Sequence, residues 1–219
     1  NCRMQIVEQP LRKGQEFIAD APGRARVPGI AERRENADGW ASLTGNVRYS
    51  YRTQTSADWR PLFSYTSADN MVPTALDFDE SGLWLYMLKP KDGRLAAFRY
   101  ATDGSGREEL VFAHPTADID DLVQIGKRDR PIGVSYATDY NHIQFFDADL
   151  AGLTGRLSKA LPDNPEISII DETWDGQKLL IHAGSDVDPG AYYIYDKAVK
   201  RLGKLSSTRP KLEGTALAT

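Results

Sequence analysis

The chain has 219 residues, with 27 Lys plus Arg against 31 Asp plus Glu and a mean hydropathy of −0.48. These are the values of an ordinary water-soluble globular protein, long enough for one large core or two small ones. A net charge of −4 gives no electrostatic basis for nucleic-acid or anionic-membrane partners, and no apolar run approaches the roughly 20 residues of a membrane helix. Cys2 is the only cysteine, which excludes an intrachain disulfide and leaves cytoplasm and periplasm equally open. Asn1-Cys2-Arg3 has neither an initiator Met nor a signal pattern, and Gly214 to Thr219 has no structural stop. Both ends read as cut.

Residues 1–14 read as a leading segment, the end of a preceding unit. Glu16–Ala19, Ala25–Val27 and Val47–Tyr51 then give a first blade-sized unit over 15–66, with Val47, Tyr49 and Tyr51 on one strand face. The Gly/Pro-rich stretches at 20–29 and 103–106 read as loops. A second unit, 73–115, contains Gly82-Leu-Trp-Leu-Tyr-Met-Leu88, apolar enough for a strand covered on both faces. Asp92-Gly93 is a hairpin turn into Leu95–Tyr100. A third unit, 122–164, has strands at Pro131–Tyr136 and His142–Phe146. It ends in a helix near 149–161, where Leu150, Leu153, Leu157 and Leu161 recur at helical spacing before Pro162. The fourth, 165–210, repeats the second: Asp175-Gly176, the apolar strand Leu179–His182, a Pro189-Gly190 turn and the aromatic strand Ala191–Tyr195. Gly82 and Gly176 stand 94 residues apart, room for two units of the ~40–50 residues that make a propeller blade. The expected fold is all-β, a partial β-propeller of about four blade-like antiparallel sheets with that one helix.

Side chains with chemical potential are few. Gly133-Val-Ser-Tyr-Ala137 approaches a hydrolase nucleophile elbow, but Ala137 replaces the second glycine and a strand follows instead of a helix. Ser135 therefore reads as a strand serine. His114, His142 and His182 are too far apart in sequence for a zinc-type pair, and His182 sits inside an apolar strand. Asp77-Phe-Asp-Glu-Ser-Gly82 matches the first half of a calcium loop, yet position 12 falls on Leu88. An Asx-type turn explains it better. The acidic groups Asp118–Asp121 and Asp186–Asp188 read as solvated loops. The expected inventory is no catalytic residue, no metal ligand, no cofactor and no assignable binding residue.

The ordered run Trp174-Asp-Gly-Gln-Lys-Leu-Leu-Ile, Gly184-Ser-Asp-Val-Asp-Pro-Gly-Ala-Tyr-Tyr-Ile-Tyr-Asp196, Leu202-Gly-Lys-Leu and Arg209-Pro-Lys-Leu212 resembles the last propeller blade of the prolyl oligopeptidase family, in its acylaminoacyl-peptidase-like and dipeptidyl-peptidase-like bacterial members. Gly133-Val-Ser-Tyr, Gln144-Phe-Phe-Asp147, Leu157–Pro162, Phe78–Tyr86 and Asp118–Asp121 extend the likeness over most of 15–215. The resemblance implies a non-catalytic propeller segment of a serine peptidase, gating access of short peptides to an α/β-hydrolase domain that would begin after residues 216–219. The triad of that family lies in the hydrolase domain, so none of it carries over to a position here. A truncated propeller leaves blade faces lined by residues such as Trp84, Leu85, Tyr193 and Ile194, so self-association is expected. The rival readings are a stand-alone propeller-type scaffold for protein partners and a small-ligand or glycan-binding β-protein.

Overall fold

A computed structural model describes residues 14–126 and 129–213, apart from 36, 67, 70 and 71, together with residues 6, 8, 9 and 215. Cys2 and residues 216–219 lie outside the described residues. Four antiparallel sheets and one α-helix make up the regular structure there, and the fold is all-β with blade-like sheets. The first sheet is β1 (Gly14–Ala19), β2 (Ala25–Glu35), β3 (Ala41–Tyr51) and β4 (Arg60–Tyr65). The second is β5 (Thr74–Phe78), β6 (Trp84–Lys91), β7 (Arg94–Ala101) and β8 (Glu108–Phe112). The third holds β9 (Ile119–Ile125), β10 (Arg130–Ala137) and β11 (Asn141–Phe145), and the fourth β12 (Glu166–Glu172), β13 (Lys178–Gly184), β14 (Ala191–Asp196) and β15 (Arg201–Ser207). In every sheet sequence neighbours are spatial neighbours, the meander order of a propeller blade. The chain divides into two compact units, residues 1–122 with 134–142, and residues 123–133 with 143–219.

The core of the first unit follows from strand alternation. Val47, Tyr49 and Tyr51 point inward from β3 and meet Val27, Phe78, Leu85 and Met87. β6 buries Leu85, Tyr86, Met87 and Leu88 in succession, so both of its faces are covered. Asp92 and Gly93 both have positive φ (52° and 80°), and Lys91 pairs with Arg94 across them. This is the type I′ hairpin that the Asp-Gly pair predicts.

A buried arginine ties the first two sheets together. Arg26, fully buried, donates from Nη1 to Asp20 Oδ2 (2.9 Å) and the Gly82 carbonyl (3.2 Å). Its Nε reaches the Arg52 carbonyl (2.7 Å) and its Nη2 the Thr102 hydroxyl (2.9 Å). The guanidinium also lies 5.0 Å from the Phe78 ring centroid. Burial pulls its pKa down from the ordinary arginine value, and the hydrogen bond and charge of Asp20 oppose that.

The 94-residue repeat is a repeat of hydrogen bonds. Asp79 N–H donates to Trp84 O (2.9 Å) and Gly82 N–H to Asp79 O (2.9 Å). Thr173 N–H donates likewise to Lys178 O (2.9 Å) and Gly176 N–H to Thr173 O (2.7 Å). Both glycines have φ of 65°, the left-handed conformation that glycine adopts without steric penalty.

In the second unit α1 (Ala148–Ala160) starts at Asp147, whose carboxylate accepts the Asp149 N–H (2.7 Å), an N-cap. Leu150, Leu153 and Leu157 fall on one face and pack with Ile167 and Ile169 of β12, Leu179 and Ile181 of β13, and Ile125, Ile132 and Phe145. Leu161 closes the helix as its C-cap.

Two expectations need correction. The loop expected at 20–29 ends at Arg24: the strand read at Ala25–Val27 continues through Pro28, which pairs with Phe17, and through Gly29, where a Cβ would come within 3.0 Å of the Tyr49 ring, so the glycine admits the aromatic side chain. Residues 119–121 are also strand. Ile119 and Leu122 are buried while Asp120 and Asp121 are exposed, so the acids are solvent-exposed strand residues of β9.

Glu172, at the end of β12, accepts two bonds from Arg130 (2.9 and 3.0 Å) and lies 3.6 Å from Lys197. Burial pushes its carboxyl up, but the Arg130 and Lys197 cations outweigh that and hold it below the ordinary glutamate value. A depressed carboxyl stabilises the fold above its unfolded-state pKa of about 4.3 and loses that contribution as pH falls through the folded value. Glu172→Gln is expected to cost about 2 kcal/mol at pH 7. Urea unfolding of both proteins should show the difference closing as pH drops below about 4. A gap that stays constant down to pH 3 would refute the pairing.

Candidate functional site

The described residues enclose a cleft of about 320 Å³ in the second unit. Tyr193 of β14 and Lys204 and Ser207 of β15 line it. One wall is the turn after α1, where Pro162 and Pro165 bracket Asp163 and Asn164, both left-handed (φ 61° and 47°). Asn and Asp tolerate that conformation better than other side-chain-bearing residues, and Ser158 Oγ pins the turn by donating to the Pro165 carbonyl (2.7 Å). The β13–β14 connection also lines the cleft. Ser185 Oγ accepts the Asp188 N–H (3.1 Å), Asp188 Oδ1 accepts the Gly190 N–H (2.9 Å), and Gly190 brings its Cα close against Ala183 and Gly184. Leu212 of the 3-10 turn Pro210–Leu212 lines it as well, and beside it Lys204 Nζ donates to Glu213 Oε1 at 2.6 Å. Glu213 raises the Lys204 ammonium above its usual pKa, and Lys204 with Ser207 holds the Glu213 carboxyl below its own.

The lining combines prolines and leucines with a phenol, an ammonium, carboxylates and hydroxyls. A lining of this mixed kind has the chemistry to hold a small polar-ended ligand.

Ser135 lies half-buried in the middle of β10, with β11 following after a short turn. Gly133 serves packing: a Cβ there would meet the Gln144 carbonyl oxygen at 2.6 Å, so it admits the neighbouring strand. The Asp77–Gly82 loop folds onto itself as an Asx turn. Asp79 Oδ1 accepts from Leu83 and Trp84 N–H (3.1 and 3.0 Å), its Oδ2 from Ser81 Oγ (2.6 Å), and Asp77 Oδ1 from Phe78 N–H (2.7 Å). Asp118 accepts the Leu95 N–H (2.7 Å), closing the start of β7.

His182 is a strand histidine, opposite Tyr192 with ring centroids 5.3 Å apart and Nε2 3.3 Å from the Pro189 carbonyl. His114 and His142, 28 residues apart in sequence, both stack on Tyr136 at 4.7 and 5.1 Å between centroids. Sequence spacing gave no sign of that stack. Of the expected blade-face residues, Leu85 is core, Trp84 lies under the Arg99 and Arg107 guanidiniums (4.3 and 4.6 Å), and Tyr193 and Ile194 are half-buried.

No family model matches the chain. Over 203 residues, 92% of its length, it is 26% identical to dipeptidyl aminopeptidase BIII of Pseudoxanthomonas mexicana, and it spans 27% of that protein. Among solved structures it is similar to Porphyromonas gingivalis dipeptidyl peptidase 4, with a TM-score of 0.42, 10% identity, and 85% of this chain and 25% of that one covered. A Mycobacterium tuberculosis puromycin-hydrolyzing peptidase gives a TM-score of 0.41 at 10% identity, with 87% and 37% covered. TolB of Acinetobacter baumannii gives 0.36 at 9% identity, with 88% and 52% covered. The chain is a sequence relative of a peptidase, and the relation runs through all four sheets rather than through one motif.

Proposed function

We propose that this chain is a non-catalytic propeller segment of a longer serine peptidase, one that screens short peptides on their way to a hydrolase domain outside it. The observation that carries the reading is the relation to a dipeptidyl aminopeptidase over 92% of this chain and only 27% of that protein. Two local features support it: Ser135 lies within strand β10 rather than on a strand-to-helix turn, and the unit-two cleft has a mixed polar and apolar lining. On this reading the partners are the hydrolase domain and peptide substrates, and uncovered blade edges give the segment a tendency to self-associate when alone.

The 219-residue chain by itself is expected to turn over neither activated esters nor aminoacyl or dipeptidyl anilides. Turnover that disappears in Ser135→Ala would overturn the proposal and make that serine a nucleophile.

A further inference from the structure

One arginine in the first unit is held in a way that its present partner does not use fully. Arg52 follows β3, and its backbone is fixed on both sides: its N–H donates to the Arg26 carbonyl (3.1 Å) and its own carbonyl accepts Arg26 Nε (2.7 Å). The ring centroid of Trp59, just before β4, lies 4.5 Å from its guanidinium carbon, within cation–π reach. Arg52 Nη2 donates to Glu8 Oε2 at 2.6 Å, with the arginine side chain 11% exposed and the glutamate 25%. Its Nε is buried without any hydrogen-bond partner, and among the described residues no other buried side-chain nitrogen or oxygen is in that state.

Nε–H and one Nη2–H of a guanidinium point the same way along one edge, and a carboxylate meets both in parallel in the strong, bidentate geometry. Glu8 takes one of the two. The other donor stays desolvated and unmade, which is costly. A carboxylate that meets both donors at once would satisfy the second.

We propose that the Arg52–Trp59 cradle is a carboxylate-binding site in which Glu8 sits as an internal, one-point occupant. A peptide carboxylate, from a C-terminus or an acidic side chain, displaces Glu8 by engaging Nε and Nη2 together, with Trp59 as the apolar wall beside it. This stands apart from the peptidase reading and does not depend on it.

The test uses the 219-residue chain and three probes: acetyl-Ala-Ala with a free carboxylate, the same peptide as its amide, and acetyl-Glu-Ala amide. Binding is read by calorimetry and by the Trp59 indole N–H resonance, assigned through Trp59→Phe. Removing a tethered competitor in Glu8→Gln is expected to tighten carboxylate binding by about tenfold or more. Arg52→Lys, which keeps the charge but loses the fork, is expected to abolish it. The amide should bind to neither protein. If only one carboxylate probe binds, the site is confirmed and its source named; if both bind, any peptide carboxylate is accepted. No gain in Glu8→Gln, or equal affinity for acid and amide, overturns the proposal. Glu8 is partly exposed, so the Glu8→Gln comparison decides the matter even if Arg52→Lys fails to fold.

Discussion

Arg26→Met is expected to lower the unfolding free energy by about 3–5 kcal/mol, the usual consequence of breaking a buried ion pair from one side. Methionine matches much of the aliphatic stem but leaves the Asp20 carboxylate, whose side chain is only 2% exposed, without its countercharge. The Gly82 carbonyl, the Arg52 carbonyl and the Thr102 hydroxyl lose a donor in the same step. The double variant Arg26→Met, Asp20→Asn should recover part of the loss. Asn removes the stranded charge while still accepting the Arg24 N–H that Asp20 Oδ1 binds at 3.0 Å. Urea midpoints of the three proteins measure this. A single-variant loss below about 1 kcal/mol, the scale of a surface pair, would mean the network does not hold the first two sheets together.

The second large effect is expected at Gly190. Its φ is 79°, and an added Cβ would stand 2.2 Å from the Ala183 carbonyl oxygen and 2.7 Å from the Gly184 Cα, both backbone atoms that cannot swing aside. Left-handed backbone costs a side-chain-bearing residue about 1–2 kcal/mol, and forcing backbone shifts adds about 1–3 more. Gly190→Ala should therefore lose about 3 kcal/mol or more. Gly93 provides the control: its φ is 80°, but nothing lies within 4 Å of its would-be Cβ. Gly93→Ala should lose only the conformational part, about 1 kcal/mol. Thermal unfolding of both variants separates the two contributions, and equal losses would refute the close approach at Gly190.

The elements most legible in the sequence are the middle strands of each sheet. β6 and β13 bury nearly every apolar residue, and the Asp-Gly pairs beside them require left-handed turns. The first and last strands are hard to read for two physical reasons. β15 is an edge strand that leaves Arg201, Lys204 and Leu205 in water, so it shows no apolar alternation. β5 and β12 carry Asp77 and Asp171 at register shifts, where each carboxylate bonds the next amide and the period of two is broken. Pro28-Gly29 reads as a turn and hides the continuation of β2 past Val27. Arg26 was readable in principle, since a lone cation between Ala25 and Val27 in a strand must find partners if buried. The cleft was not: its lining comes from two connections, three strands and the 3-10 turn, and Lys204, Arg209 and Glu213 look like ordinary surface charges until the chain folds.

The central proposal is that this segment shields a serine nucleophile located elsewhere. A fluorophosphonate that labels activated serines, applied to the full-length protein and followed by peptide mapping, tests it most directly. The account predicts a single adduct on a serine outside these 219 residues, in a protein that cleaves dipeptidyl anilides until it is labelled. An adduct on Ser135 or any other serine within the segment would contradict it.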